Sequence, residues 1–291
     1  MAHETEQHTP SPTRAPSALE SSLLALLFAG LAVGGAAYGA GVPMPELASR
    51  HGAGIDAMLN YLLLTVGLIF VVGYCLLAWL IWHGSRRHAI SSRLSTRRAE
   101  LTLSGMLGLG VALVAEGGVL AIGMPVWAEY FGSPPSADVL TLDVTAQQFM
   151  WNVRYPGPDG VFGRTDLTLI DDATNPVGVD RSDTASKDDL FFQNEFTVPV
   201  NRPVKVRLHA RDVIHSFFLP HFRVKQDAVP GMTPEVVFVP TRTGSYELLC
   251  AELCGLAHYR MRATFTVVSS DEFEEWLRTE QQRAAEEAAA R

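Results

Sequence analysis

The sequence predicts a transmembrane α-helical hairpin followed by an all-β sandwich or barrel, and three observations support this prediction. Hydrophobic residues make up 47% of the 291 residues and crowd the first 130 positions, which is typical of membrane spans ahead of a soluble domain. Two long apolar runs lie there on either side of an arginine-rich segment. After residue 138, short β-branched segments alternate with Pro and Gly, as in β-sheet proteins.

The N-terminal region is polar at first and then apolar. Residues 1–21 are rich in Pro, Ser and Thr, which predicts disorder. Residues 22–42 form an apolar run that fits either an additional transmembrane helix or a signal sequence. Small residues at Ala37 and Gly39 could serve a signal peptidase. Both alternatives stay open at this point.

The hairpin is predicted from two stronger apolar runs, residues 57–82 and 101–127, which end near Trp82 and Trp127 as interfacial aromatics do. Between them lies the predicted loop 83–100. Its arginines are Arg86, Arg87, Arg93, Arg97 and Arg98. Positive charge in a short loop places it in the cytoplasm. Everything after residue 127 is therefore expected outside the cytoplasm.

Residues 138–270 are predicted to form the β domain. The predicted strands are DVLTLDVTAQQFMWNVRYP, DLTLI, FTVPVNRPVKVRLHA, EVVFVP, GSYELLC and MRATFTVVS. Several short strands at this spacing favour a sandwich or barrel. Residues 171–189 are predicted to be a polar, acidic loop. Residues 271–291 are predicted to be a helix, with Ser269 and Glu272 at capping-box spacing.

The stretch CAELCGLAHYRM, residues 250–261, is the candidate metal site. Cys250, Cys254, His258 and Met261 lie between two predicted strands. Thiolate, imidazole and thioether ligands together favour copper over hard cations. A helix would also place these residues on one face. Gly255 and the flanking strands favour a loop instead.

An upstream histidine is needed to complete such a site, and the candidates are His209, His215 and His221. In a cupredoxin-type sandwich, one ligand comes from an earlier loop and the others from the last ligand loop. His215 fits that place because it follows the strand VKVRLHA and precedes Pro220. The other two are interpreted as packed or surface histidines.

Two other sites are conceivable for the same residues. Cys250 and Cys254 could form a disulfide outside the cytoplasm, or join His215 and His258 in a zinc site. Neither alternative uses Met261. The third cysteine, Cys75, lies in an apolar run and is interpreted as an inert thiol.

The segment IHSFFLPHFRVKQDAVPGM followed by CAELCGLAHYRM resembles subunit II of the haem-copper cytochrome c oxidases. The downstream motif is C-x-E-x-C-x3-H-x2-M, and His215 precedes Cys250 by 35 positions. The similarity extends over about residues 55–270. It implies a cupredoxin-like domain with a binuclear copper centre, called CuA, whose ligands would be His215, Cys250, Glu252 through its carbonyl, Cys254, His258 and Met261.

The resemblance also implies the function and the partners. Such a subunit lies in the bacterial inner membrane with its copper domain on the periplasmic side. It accepts electrons from a c-type cytochrome and passes them to haem in subunit I, where dioxygen is reduced to water with proton translocation. Subunit III and membrane lipid are further expected partners, and Mg²⁺ is expected near the Glu252 carboxylate. A net charge of −8 argues against nucleic acid.

One position departs from the family pattern. The segment QQFMW has Phe149 where the family has the first Trp of Gln-Trp-x-Trp, the usual point at which electrons arrive, while Trp151 matches the second. The donor is therefore expected to dock differently, to use another aromatic such as Tyr259, or to be fused or membrane-held. No C-x-x-C-H motif occurs, so the chain itself is not expected to carry a c-type haem.

Four acidic residues have two interpretations each. Glu100 matches a family acid that admits protons to subunit I, or it favours a helix dipole. Glu116 lies within a span and is interpreted as paired with a neighbouring subunit rather than relaying protons. Asp212 and Asp227 either serve docking and subunit contacts or are solvated, salt-bridged acids.

Four rival functions remain. The first is the CuA subunit of a nitric oxide reductase, which differs in its partner subunit. A nitrous oxide reductase domain would be much longer and lack the hairpin. A copper-carrying assembly protein would need no carboxylate within the membrane. A quinol oxidase subunit II would lack the copper ligands.

Overall fold

The computed structural model describes residues 17–86, 96–132 and 138–289. Within them the chain forms four α-helices and ten β-strands. The helices are α1 (Ala18–Gly41), α2 (Gly52–Arg86), α3 (Arg97–Phe131) and α4 (Ser270–Ala289). The strands are β1 (Leu140–Gln147), β2 (Met150–Tyr155), β3 (Leu190–Gln193), β4 (Glu195–Pro199), β5 (Val204–Ala210), β6 (His215–Leu219), β7 (Val224–Ala228), β8 (Glu235–Phe238), β9 (Gly244–Cys250) and β10 (Arg262–Val268). These elements divide into two compact units, one helical and one mainly β.

The helical unit holds α1 and residues 60–118 of α2 and α3. Among the described residues, α1, α2 and α3 are long and apolar enough to cross a membrane. A capping box starts α1: the Ser17 hydroxyl accepts from the backbone N–H of Glu20, whose carboxylate accepts from Ser17 N. Residues 18–21 are therefore helical rather than disordered as predicted, and residues 1–16 lie outside the described part. The start of α1 is compatible with both interpretations of residues 22–42.

Both hairpin helices extend beyond their apolar runs. The helix α2 covers residues 52–86 rather than 57–82, and α3 covers 97–131 rather than 101–127. Polar residues continue the helices because the backbone hydrogen bonds of a helix do not require apolar side chains. The predicted loop 83–100 is thus helical at both ends. Its middle, residues 87–95, lies outside the described residues.

The second unit contains the β domain, residues 44–59 and the remainder of α3. Its described strands form two five-stranded sheets, ordered β3-β2-β1-β5-β8 and β4-β10-β9-β6-β7. The pairs β1–β5 and β4–β10 are parallel and the other neighbours antiparallel. In β5, buried Val204, Val206 and Leu208 alternate with polar residues, so one face of the sheet lines the core. The prediction of helices followed by an all-β, cupredoxin-like sandwich is confirmed.

Several local predictions differ from the structure. The segment DLTLI was predicted to be a strand, but Leu167–Leu169 form a 3₁₀ turn. The Asp166 carboxylate accepts from Thr168 N at 2.8 Å and holds this turn. The strands β3, β6 and β7 were not predicted. His215 accordingly begins a strand instead of lying in a loop.

Residues 44–59 form a strap along the edge of the β domain. Ala48 N donates to His221 O at 2.8 Å, and Arg50 N donates to Val239 O at 3.0 Å. Arg223 donates to both carboxylate oxygens of Asp56 at 2.7 and 3.0 Å. The start of α2 is thereby attached to the same unit that carries the candidate metal site.

The C-terminal helix α4 packs against the β domain. Ser269 and Glu272 form the predicted capping box, since Glu272 N donates to Ser269 Oγ and its carboxylate accepts from Ser269 N. Phe273 is fully buried, and the Trp276 ring packs on Tyr155. The helix begins at Ser270, one residue before its predicted start.

Candidate metal centre

The candidate centre lies where β6 and β9 meet the loop before β10. The strands β6 and β9 are antiparallel, with Phe217 opposite Cys250. His215, two residues before Phe217, therefore extends past the end of β9 and over the loop that follows. Residues 251–261 form that loop, as predicted in preference to a helix, and a 3₁₀ turn at His258–Arg260 shapes its end.

Position 255 of this loop requires glycine for two reasons, its backbone conformation and the small space around it. Gly255 has φ +134°, which L side chains rarely adopt. A Cβ there would lie 2.6 Å from Nε2 of Gln148 and 3.2 Å from the Phe149 ring. Cys250 N donates to Met261 O at 3.1 Å, so the loop closes on itself. The loop is thus held close against the turn between β1 and β2.

The side chains of this loop converge with His215 on one point. The sulfur of Cys250 lies 3.9 Å from the Cys254 sulfur and 3.9 Å from Nδ1 of His215. The Cys254 sulfur lies 3.5 Å from Nδ1 of His258 and 3.7 Å from Sδ of Met261. All these residues were singled out from the sequence as ligands, and the structure brings them together.

A sixth donor is a backbone carbonyl. The Glu252 oxygen lies 3.2 Å from the Cys250 sulfur, while the Glu252 side chain is exposed. Among the described residues, the group with metal-binding geometry found in this chain is His215, Cys250 and Cys254, whose ligand atoms lie within 4.8 Å of one another. The carboxylate of Glu252 therefore needs ligands from elsewhere to hold Mg²⁺.

The donor set fits a soft metal. Ligand atoms that share one ion at about 2.3 Å each lie no more than about 4.6 Å apart, and each neighbouring pair above lies within that limit. The cysteines are free thiols, so the conceivable disulfide is absent from the structure. Two cysteine sulfurs, two imidazoles and a thioether are the donors that copper prefers. The residues present thus fit the copper ions that the resemblance implies.

The two thiols differ in acidity. Burial opposes ionisation of Cys250, but hydrogen bonds from His215 and from the backbone outweigh burial and lower its pKa to about 6. Burial and the neighbouring Cys250 thiolate raise the pKa of Cys254 to about 11. One proton leaves this pair readily and the second is retained, so a bound metal ion would have to displace it.

Asp212 orients one of the imidazoles. Its carboxylate lies 2.8 Å from Nε2 of His215 and accepts from Gln148 N at 2.7 Å. The Nδ1 atom of His215 is left facing the sulfurs. Asp212 thus fixes the ring of a candidate ligand, which neither sequence interpretation of it anticipated. Asp227, in contrast, is a salt-bridged acid, with Lys225 Nζ at 2.9 Å.

The aromatic candidates lie at different depths. Trp151 is fully buried, with its ring centroid 6.3 Å from that of His215 in an edge-to-face arrangement. Phe149 is half-buried beside Gly255. Tyr259 is 80% exposed in the metal loop. Of the three, Tyr259 is the most accessible to a docking protein.

The remaining sequence candidates lie outside this centre. His209 binds Asp143, and His221 Nδ1 lies 2.8 Å from Glu46 O. Glu100 is exposed in the first turn of α3, and Glu116 is exposed further along the same helix. The contact of Asp212 with His215 was not predicted from the sequence. An acid three residues before a ligand histidine is the signal that could have indicated it.

The fold and this donor cluster define a cupredoxin-type domain attached to membrane-spanning helices. The family model described as "Cytochrome C oxidase subunit II, periplasmic domain" matches residues 140–268. The alternative cytochrome c oxidase subunit 2 of Bradyrhizobium diazoefficiens is 36% identical, covering 79% of this chain and 80% of the relative. Cytochrome c oxidase subunit 2 of Cereibacter sphaeroides is 31% identical, covering 75% and 73%. The chain belongs to the cytochrome c oxidase subunit II family.

A solved structure also matches part of this chain. The periplasmic domain of cytochrome oxidase subunit II from Bradyrhizobium japonicum is 34% identical, covering 51% of this chain and 97% of that domain, with a TM-score of 0.37. The relatives named here are subunits of an oxidoreductase, so the activity belongs to a complex rather than to this chain alone.

Proposed function

We propose that this chain is the electron-accepting subunit of a haem-copper cytochrome c oxidase in a bacterial inner membrane. It takes electrons from a c-type cytochrome on the periplasmic side and delivers them to haem in subunit I. There, dioxygen is reduced to water with proton translocation. Subunit III and lipid complete its surroundings, with residues 138–270 in the periplasm and the loop 83–100 in the cytoplasm.

The observation that carries this proposal is the convergence of six soft or neutral donors in one cluster. Their neighbouring atoms lie 3.2–3.9 Å apart, and Cys250, Cys254, Met261 and His215 are buried. They project from strand ends and from a loop closed by its own hydrogen bonds. A rigid scaffold of this kind suits electron transfer, because ligands that move little add little reorganisation.

Each residue has a proposed part in holding two copper ions. The thiolates of Cys250 and Cys254 and the imidazoles of His215 and His258 would hold the ions, and Met261 and the Glu252 carbonyl would be weaker ligands. Bound there, the ions would supply one-electron transfer from the donor cytochrome towards haem. Asp212 keeps Nδ1 of His215 facing the sulfurs, and the buried side chains exclude water from the cluster.

Electrons are proposed to arrive through aromatics on the metal loop. Phe149 replaces the usual Trp and is only half-exposed, whereas the Tyr259 ring is 80% exposed one residue after His258. Trp151 packs against His215 from within and is proposed to serve the internal part of the path. Two acids complete the proposal: Glu252 as an Mg²⁺ ligand shared with subunit I, and Glu100 as an acid that admits protons.

The test is metal analysis and electron paramagnetic resonance of the purified complex. We expect two coppers per chain and one spin delocalised over both. Zinc, or a single copper per chain, would contradict the proposal. The large subunit that co-purifies, and turnover with dioxygen rather than nitric oxide, separates the oxidase from a nitric oxide reductase.

A further inference from the structure

A cavity of about 900 Å³ lies on the outer face of the sheet that contains β1 and β5. Residues from the segment 160–177, which follows β2, and residues 230–233, which precede β8, line its sides. Small-molecule sites in proteins have volumes of about 300–1,000 Å³, so the cavity is large enough for a ligand. The candidate copper ligands lie elsewhere, on β6, on β9 and in the loop before β10.

Basic side chains form the floor of this cavity. Arg207, His209 and Arg211 follow one another at every second position, so they leave the sheet on the face opposite the buried apolar residues of β5. Asp143 on β1 and Arg154 on β2 lie beside them, with side chains only 8% and 5% exposed. Among the described residues that line the cavity, Asp143 is the only acid. The floor therefore presents mainly cationic groups.

Arg207 is the cation of this floor with the weakest partner. The Asp143 oxygens are held more closely by Arg154, at 2.7 Å, and by His209, at 2.8 Å. Arg207 reaches one of these oxygens only at 3.4 Å, and this contact is its single ion pair within residues 17–86, 96–132 and 138–289. A guanidinium group carries five N–H donors, so most of the donors on Arg207 are left for a ligand.

The Phe162 ring keeps the Arg207 guanidinium in place. The guanidinium carbon of Arg207 lies 5.4 Å from the centroid of this ring, and that of Arg154 lies 5.0 Å from the same centroid. Cations within about 6 Å of an aromatic ring are attracted to its face. The charge is therefore oriented before a ligand arrives, which reduces the conformational entropy lost on binding.

Apolar side chains line the sides of the cavity. Val161 and Leu167 come from the segment after β2, and Met232 comes from the segment before β8. Their exposed fractions are 54%, 84% and 60%, so they offer apolar surface to a ligand. An oriented cation beside exposed apolar side chains is the combination that recognises an anion with an apolar body.

We propose that this cavity binds a small organic carboxylate with an apolar body. The carboxylate accepts hydrogen bonds from the Arg207 guanidinium, whose planar fork matches its two oxygens. The apolar body lies against Val161, Leu167 and Met232. A single charge is favoured over a phosphate dianion, because the Asp143 carboxylate lies beside Arg207 and repels a second negative charge. The proposal does not depend on the copper centre.

The experiment is calorimetric titration of the purified full-length chain in a nonionic detergent. Benzoate is the probe, benzamide has the same shape without the charge, and acetate has the charge without the apolar body. We expect saturable binding of one benzoate per chain, with benzamide and acetate each at least about tenfold weaker, the lower end for hydrogen bonds to a charged group. Equal affinity for benzamide, equal affinity for acetate, or no saturable binding of benzoate would overturn the proposal.

A charge-removing variant tests the floor of the cavity. Arg207→Gln should weaken benzoate binding about 10- to 150-fold, the range for a hydrogen-bonded charge. Arg262→Gln is the matched control, because Arg262 lies in the other sheet and pairs with Glu247 at 3.5 Å with both side chains exposed. Benzoate affinity unchanged in Arg207→Gln, or lowered equally in both variants, would contradict the assignment of Arg207.

A second pair of variants tests the sides without disturbing the buried floor. Met232→Glu adds a negative charge at an exposed position of the cavity and should abolish benzoate binding by repulsion. Leu169→Glu adds the same charge at an exposed position that does not line the cavity, and it should retain binding. Retained binding in Met232→Glu would place the ligand elsewhere and overturn the proposal. Copper content, measured on the same samples, tests the proposed function separately.

Discussion

Two polar clusters are buried in the β domain, one in each sheet, and they differ in how their polar atoms are bonded. In the sheet containing β1, the Asp143 carboxylate lies 2.7 Å from Nη2 of Arg154 and 2.8 Å from Nε2 of His209. Arg154 also reaches Asp189 at 3.2 Å. In the other sheet, the cysteines, histidines and methionine of the metal loop contact one another at 3.5–3.9 Å.

A buried cluster that stabilises the fold differs from a buried binding site in whether its polar atoms already have partners within the chain. Around Asp143, both carboxylate oxygens are bonded within the chain, one by Arg154 and the other by His209. Burial opposes ionisation there, but His209 and Arg154 outweigh burial and lower the pKa of Asp143. The metal loop instead gathers donors that form only long, weak contacts, and a buried thiol whose pKa is raised. The bonding capacity of the metal loop is left for a ligand, whereas both oxygens of the Asp143 carboxylate are already bonded.

The largest expected effect comes from removing a sulfur of the metal loop. Cys254→Ser should abolish two-copper binding and reduce cytochrome oxidation by more than the about 100-fold that supporting residues of a metal site contribute. Copper analysis and the near-infrared absorption of the complex measure this. The matched control is Cys75→Ser, because Cys75 lies on the exposed surface of α2. Retained colour and turnover in Cys254→Ser would contradict the assignment of the site.

The second effect concerns stability rather than function. Asp143→Asn removes one of the two ion pairs of buried Arg154, which keeps Asp189 at 3.2 Å, and should destabilise the β domain by about 1–3 kcal/mol. The measurement is thermal unfolding of the purified full-length chain. Glu247→Gln is the control, because its partner Arg262 lies 3.5 Å away and both side chains are exposed. Equal shifts for the two variants would show that the Asp143 network adds no stability.

A smaller effect is expected where a hydrogen bond supports a ligand. Asp212→Ala leaves Nε2 of His215 without its acceptor and should weaken copper retention about 10- to 100-fold. Competition with a chelator measures the retention, and a changed paramagnetic spectrum would show that the ligand ring has turned. Glu235→Gln, whose exposed carboxylate pairs with the half-buried Lys205 in the other sheet, is the control. Unchanged retention and spectrum in Asp212→Ala would remove its positioning role.

The metal loop was predictable because its donors lie within twelve residues. Gly255 and the strands on either side favoured a loop, but the spacing alone left a helix, a disulfide and a zinc site open, and the full set of candidate ligands came from the family resemblance. His215 was found by its place between a strand and Pro220. The role of Asp212 could not be assigned from the sequence, because an acid shortly before a histidine can equally be exposed to solvent. Only the turn into β6 brings its carboxylate to the His215 ring.

The Asp143 cluster was not predictable because its members come from distant parts of the chain. Asp143, Arg154 and His209 lie on β1, β2 and β5, and Asp189 follows a long insertion after β2. The alternation of apolar and polar residues also gave a wrong prediction at DLTLI, where Leu167 and Leu169 alternate with polar residues as in a strand. There, the Asp166 side chain accepts a hydrogen bond from the backbone and stabilises a turn instead of a strand. The alternation of apolar and polar residues does not reveal this hydrogen bond.

The smallest expected effect is a difference in acid stability between the wild-type chain and Asp143→Asn. Because the pKa of Asp143 is lowered in the folded state, the unfolded chain binds the additional proton as the pH falls below about 4, the ordinary range of an aspartate. The contribution of Asp143 to the free energy of unfolding is present above that pH. It is lost as the pH falls through the pKa that Asp143 has in the folded state. The slope is at most about 1.4 kcal/mol per pH unit for one proton. Chemical denaturation between pH 7 and 3 should therefore show a steeper loss for the wild type than for Asp143→Asn, and parallel curves would mean that Asp143 titrates alike in both states.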